Sequence, residues 1–154
     1  MDPIWIVLAD EGRARILARD QPGADLVEVE ELTDAAAHAD NADLRRDAYG
    51  RRGGGELADG GGRRMGGNAT ASAGEEKLDH EAELFARRVA KWLLEAHQKG
   101  RYGELRLAAA PRFLGRLRKQ IDPQVAKLIA EEVDKDLLHD SPRDVAQRFF
   151  PSGS

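Results

Sequence analysis

The N-terminal part of the chain is patterned in steps of two, and the C-terminal part mostly in steps of three and four. Ile4–Ala9 is a short apolar run rich in β-branched and aromatic residues, which predicts a buried strand. Asp10-Glu11-Gly12 predicts a turn, with Gly12 supplying the positive φ of a short hairpin. Arg13–Ala18 then places Ala14, Ile16 and Ala18 on one face and Arg13, Arg15 and Leu17 on the other. Gln21-Pro22-Gly23 is a second turn signal, and Leu26–Leu32 alternates again. Three strands joined by tight turns predict an antiparallel meander.

From Glu75 to His97 the period changes. Leu78, Ala82, Phe85, Val89, Trp92 or Leu93, and Ala96 recur at helical spacing, and Glu83 stands four residues before Arg87 in the favoured ion-pair order. Gly100 is the expected stop. Glu104–Ala110 predicts another strand. Pro111 opens a helix over Arg112–Gln120, with Phe113, Leu114, Leu117 and Ile121 inward. Asp122-Pro123 starts a further helix through Ile129, and Ala130–Leu138 fits helix or strand equally. Ser141-Pro142-Arg143-Asp144 combines a cap, a first-turn proline and an acid, predicting a helix over Pro142–Phe149. Alternating strands and helices in one chain of 154 residues predict a single α/β domain over 1–150, with a short tail at 151–154.

Between the meander and the long helix, Tyr49–Gly67 reads YGRRGGGELADGGGRRMGG and holds nine of the chain's 16 glycines. Side chains cannot pack such a run into one shape, so a flexible loop is expected at about 50–74. Long loops inside domains usually carry function. Arg51, Arg52, Arg63 and Arg64 sit among Gly53, Gly54, Gly55, Gly66, Gly67 and Asn68. Backbone N–H groups and guanidinium forks can both meet phosphate oxygens there. No lysine follows the glycines as it does in a nucleotide-binding P-loop. Arg112, Arg116 and Lys119 recur at spacings of four and three, so they share one helix face that also suits phosphate. The plain alternative is a solvated face offsetting nearby acids.

Charge narrows the picture. Twenty-four basic against 28 acidic side chains leave −4, which argues against a surface that coats nucleic acid everywhere and leaves only local basic patches. With no cysteine, disulfides, thiolate zinc sites and cysteine nucleophiles are excluded. His38, His80, His97 and His139 fall at no ligand spacing, and no cofactor motif is present. Asp10, Asp79, Glu83, Asp134 and Asp136 are the carboxylates a two-metal nuclease would recruit, but Asp10 lies at the strand's end beside Gly12, where aspartate is an ordinary turn residue. Ile4–Leu8 is too short for a signal peptide or a membrane span, so a cytoplasmic location is expected.

The stretches VLADEGRARIL, HEAELFARRVAKWL, LAAAPRFLGRLRKQI and VDKDLLHDSPRDVAQRF, in that order, resemble the bacterial host attachment protein family from Ile4 to Phe149. That family is similar to the middle domain of archaeal and eukaryotic class-I release factors and of Pelota. The resemblance implies a ribonuclease-H-like three-layer sandwich with a mixed sheet of about five strands, the last at Glu132–Leu137. In release factors a Gly-Gly-Gln loop precedes the long helix. Here the nearest tripeptide is Gly66-Gly67-Asn68, without glutamine, so peptidyl-tRNA hydrolysis is not carried over. The resulting expectation is a non-catalytic ribosome- or RNA-associated protein using the loop and the basic helix face. A protein–protein adaptor acting indirectly in attachment is the alternative, and a metal-dependent nuclease the third.

Overall fold

Alternation in the first three strands sorts their side chains onto two faces, and the computed structural model is built on that sorting. It describes residues 2–34 and 66–151, the side chains of 66–73 excepted. Five strands form one sheet among these residues: β1 (Ile4–Ala9), β2 (Arg13–Arg19), β3 (Val27–Thr33), β4 (Glu104–Ala109) and β5 (Ile129–Val133). Their order is β3-β2-β1-β4-β5. β2 pairs antiparallel with β1 and β3, while β4 pairs parallel with β1 and β5, so the sheet is mixed and open. The helices are α1 (Gly66–Gln98), α2 (Pro111–Gln120), α3 (Pro123–Ala126) and α4 (Pro142–Phe149). The described residues fall into two compact units, 1–33 with 83–154 and 34–82. The sheet and everything that covers it below belong to the first.

The turn after β1 forms differently from the expected glycine turn. Positive φ occurs at Gly23 and Gly100 but not at Gly12. Asp10 closes the turn instead: its Oδ1 accepts from the N–H groups of Gly12 and Arg13, both at 2.9 Å. The side chain does here what a left-handed glycine would do elsewhere. Between β2 and β3, Pro22 and Gly23 (φ 84°) occupy the two central positions of a type II turn, closed by Ala24 N–H to Gln21 O at 3.0 Å. The β2–β3 register shifts between Ile16 and Leu17.

One face of the sheet carries Trp5, Val7, Ile16, Leu105 and Leu107. Phe85, Val89 and Leu93 of α1, Phe113, Leu114 and Leu117 of α2, and Val125 of α3 bury these residues. Trp5 stacks on Tyr102 at 4.7 Å and on Trp92 at 5.5 Å between ring centroids. The phenol of Tyr102 donates to Leu93 O at 2.7 Å, and burial pushes its pKa upward. The other face carries Ile6, Leu8 and Leu17, covered by Leu137, Leu138 and by Val145 and Phe149 of α4. Helices on one face and a helix on the other make the three layers.

Four sequence expectations shift. α1 begins at Gly66, earlier than Glu75, and Leu78 is 56 % exposed rather than inward. The carboxylate of Glu83 pairs with Arg116 at 3.1 Å. No pair with Arg87 forms. The helix opened by Pro123 stops at Ala126, and Asp122 caps it through Gln124 N–H at 2.8 Å. The last strand lies at Ile129–Val133, before the Glu132–Leu137 position that the resemblance implied. Edge position explains why its pattern was ambiguous: one flank has no neighbouring strand among the described residues, so Glu131 and Glu132 tolerate exposure where a central strand would need apolar residues. Leu137 and Leu138 instead turn into the second core, with the Asp136 carboxylate accepting from Leu138 N–H at 3.0 Å. Gly100 ends α1 as expected, with φ 70° and Arg101 N–H reaching Ala96 O at 3.1 Å.

Candidate phosphate-binding groove

Pro111 starts α2 directly after β4, and Phe113, Leu114 and Leu117 fix the helix face that meets the sheet. Arg112, Arg116 and Lys119 therefore stand together on another face, as their spacing requires. They border a shallow cavity of about 300 Å³, completed by Glu83, Gly115 and Gln120. Gly115 lies among the lining residues, and a Cβ built there meets nothing within 4 Å. Arg112 and Lys119 are exposed, whereas the Arg116 side chain is 14 % exposed and held by Glu83 at 3.1 Å. Two arginine side chains and an ammonium bordering one cavity suit a phosphate group, and Glu83 orients Arg116 while reducing the local positive charge.

Arg118, next to this group in sequence, is directed elsewhere. Its Nε donates to Glu132 of β5 at 3.0 Å, and that hydrogen bond and charge hold its pKa up. The solvated-face reading thus describes Arg118, and Glu83 partly offsets Arg116.

The remaining candidates divide by position. Arg51, Arg52, Gly53, Gly54, Gly55, Arg63 and Arg64 lie outside the described residues. Gly66, Gly67 and Asn68 lie in the opening turn of α1, whose helical backbone begins where the loop was expected to continue. Asp10 is engaged in the β1–β2 turn. Among the described residues no group of three or more His, Asp or Glu side chains is placed to hold a metal ion. Nor is any helix among them long and apolar enough to cross a membrane.

A row of inward arginines on the second sheet face escaped the sequence reading. Arg15 and Arg19 are 8 % and 4 % exposed. Arg15 Nη1 donates to the carbonyls of Leu138 and Asp140 at 2.6 and 2.9 Å, and its Nε to Glu28 at 2.8 Å. Arg106 of β4 donates to Phe149 O at 3.1 Å and pairs with Glu104 at 2.7 Å and Glu131 at 3.3 Å. The sequence put Arg13, Arg15 and Leu17 on one strand face, but nothing local signalled that the arginines of that face turn inward.

The model of a family described as "Protein required for attachment to host cells" matches residues 5–149. The chain belongs to this family. No curated protein matches it. Among solved structures it is similar to an archaeal translation termination factor, aRF1, at 14 % identity and a TM-score of 0.47, covering 84 % of this chain and 29 % of that one. A second, titled only "Archaeal protein", is similar at 15 % identity and a TM-score of 0.48, covering 98 % of this chain and 35 % of that one. The chain thus spans about a third of the length of these structures.

Proposed function

We propose that this member of the host-attachment family is a non-catalytic cytoplasmic protein that binds a phosphate-rich partner, RNA or the ribosome. The groove on α2 is the observation that carries this reading. Arg112, Arg116 and Lys119 line one surface cavity, an arrangement that supports backbone phosphate contact. The arginines at 51, 52, 63 and 64, set among glycines, add a second cationic segment with little side-chain bulk to hinder close approach. Binding of this kind releases counterions, so affinity falls steeply with salt. Ribosome co-sedimentation at low and high salt tests it, using wild type, a variant lacking residues 50–67, and Arg112→Glu/Lys119→Glu. Salt-sensitive binding weakened in both variants is expected. Equal, salt-insensitive binding by all three ends the proposal.

The family description favours a second reading, a protein–protein adaptor that acts in attachment. Pull-down before and after nuclease treatment separates the two. Partners that survive nuclease support the adaptor, and partners lost with the RNA support the phosphate reading.

A further inference from the structure

The groove on α2 is not lined by cations alone. Glu83 of α1 brings a carboxylate to it, and Gln120, at the end of α2, brings an amide. An exposed carboxylate at the border of a site weakens its hold on phosphate. Orienting Arg116 uses little of that carboxylate. Arg116 Nη1 donates to Glu83 Oε1 at 3.1 Å, and the Glu83 side chain is still 55 % exposed. An ionised carboxylate has about four acceptor sites, so Glu83 can accept again from a ligand. Gln120 is half-buried and adds a carbonyl acceptor beside its NH₂ donors.

The chemistry of nucleic-acid backbones says what such acceptors are for. Between its ends, a deoxyribose–phosphate chain carries only acceptors, which a carboxylate repels. Ribose adds one donor per nucleotide, the 2′-hydroxyl, and that group is what distinguishes RNA from DNA. Resting on the phosphate reading of this groove, we infer that Glu83 is its sugar-reading residue. It accepts from the 2′-hydroxyl of a ribose whose phosphate the basic side chains hold, so the groove takes RNA in preference to DNA. RNA and DNA strands of one length carry the same charge. The cations, with whatever partners they have in the chain, therefore cancel in the comparison, and the acceptors set the preference.

Fluorescence anisotropy of the full chain tests this with a labelled single-stranded RNA, its deoxyuridine-containing DNA counterpart and the 2′-O-methyl RNA. RNA should bind about tenfold more tightly than either strand lacking the hydroxyl proton, as one hydrogen bond to a charged group requires. Glu83→Ala, at an exposed position, should tighten DNA binding by removing a repelling charge and bring the RNA-to-DNA ratio close to one. A residue that only orients Arg116 would shift both strands together, and an unchanged ratio in this variant overturns the inference. Gly115→Phe adds a ring at a lining position where a Cβ meets nothing within 4 Å, and it should weaken RNA binding. Undiminished RNA binding there puts the site elsewhere and overturns the inference as well. Equal, salt-sensitive binding of all three strands by wild type overturns it while leaving the phosphate reading standing. Absence of salt-sensitive binding to any strand ends both.

Discussion

On one face of the sheet three helices cover Trp5, Ile16 and Leu107 with hydrocarbon and stacked rings. On the other, one short helix and the segment after β5 cover Ile6, Leu8 and Leu17, and arginines from β2 and β4 reach the backbone of that covering. The first face buries the larger apolar cluster. The second buries a smaller one, and directional bonds from Arg15 and Arg106 to main-chain carbonyls tie down the segment after β5 and the end of α4. Hydrocarbon gives cohesion without much direction. Guanidinium groups give direction, and each needs its remaining donors satisfied, here by Glu28, Glu104 and Glu131.

The comparison predicts a difference in kind as well as size. Leu93→Ala, in the first core, should cost about 3 kcal/mol by cavity formation, read as a lowered denaturant midpoint for the whole unit. Arg15→Met should cost about 2 kcal/mol, because two carbonyls and Glu28 lose a charged donor. Hydrogen exchange should localise that loss to residues 137–145. Uniform loss of protection would show that the second layer has no stability of its own to lose. Arg15→Lys should rescue little, since an ammonium cannot span three acceptors in the fork geometry.

Smaller effects sharpen the first face. Gly100→Ala should cost about 1 kcal/mol, because φ 70° is strained for alanine, and a thermal melt reads it. Tyr102 gives a pH signature. Its folded pKa is raised, so its contribution is complete below the ordinary phenol pKa of about 10 and is lost as pH rises above that value, where the unfolded chain ionises and the folded one does not. Tyr102→Phe should therefore flatten the decline of stability above pH 10, measured by denaturation against wild type. An unchanged slope would mean the phenol ionises in the folded state.

Legibility in the sequence followed the same division. The apolar face was readable, because Ala14, Ile16 and Ala18, and Phe113, Leu114 and Leu117, repeat at the periods of their elements. The caps at Asp122 and Ser141 were readable for a local reason, since each bonds an N–H two or three residues away. The arginine face was not. Arg15 meets Leu138 and Asp140 more than a hundred residues later, and no local pattern encodes such a partner. The edge strand β5 was hidden by its own glutamates, and the turn after β1 was legible in place but not in its closure, which comes from the Asp10 carboxylate and not from a positive φ at Gly12. For the candidate site, spacing placed Arg112, Arg116 and Lys119 together, and it could not show that Arg118 is drawn away by Glu132.

The two outer strands carry Glu28, Glu30 and Glu31 on β3 and Glu131 and Glu132 on β5. Glu28, Glu31, Glu131 and Glu132 take their countercharge from arginines of the same domain. A foreign strand laid along either rim would have to confine these ion pairs away from water and would offer them nothing in return. The described sheet is thereby guarded against growing by accretion at either rim.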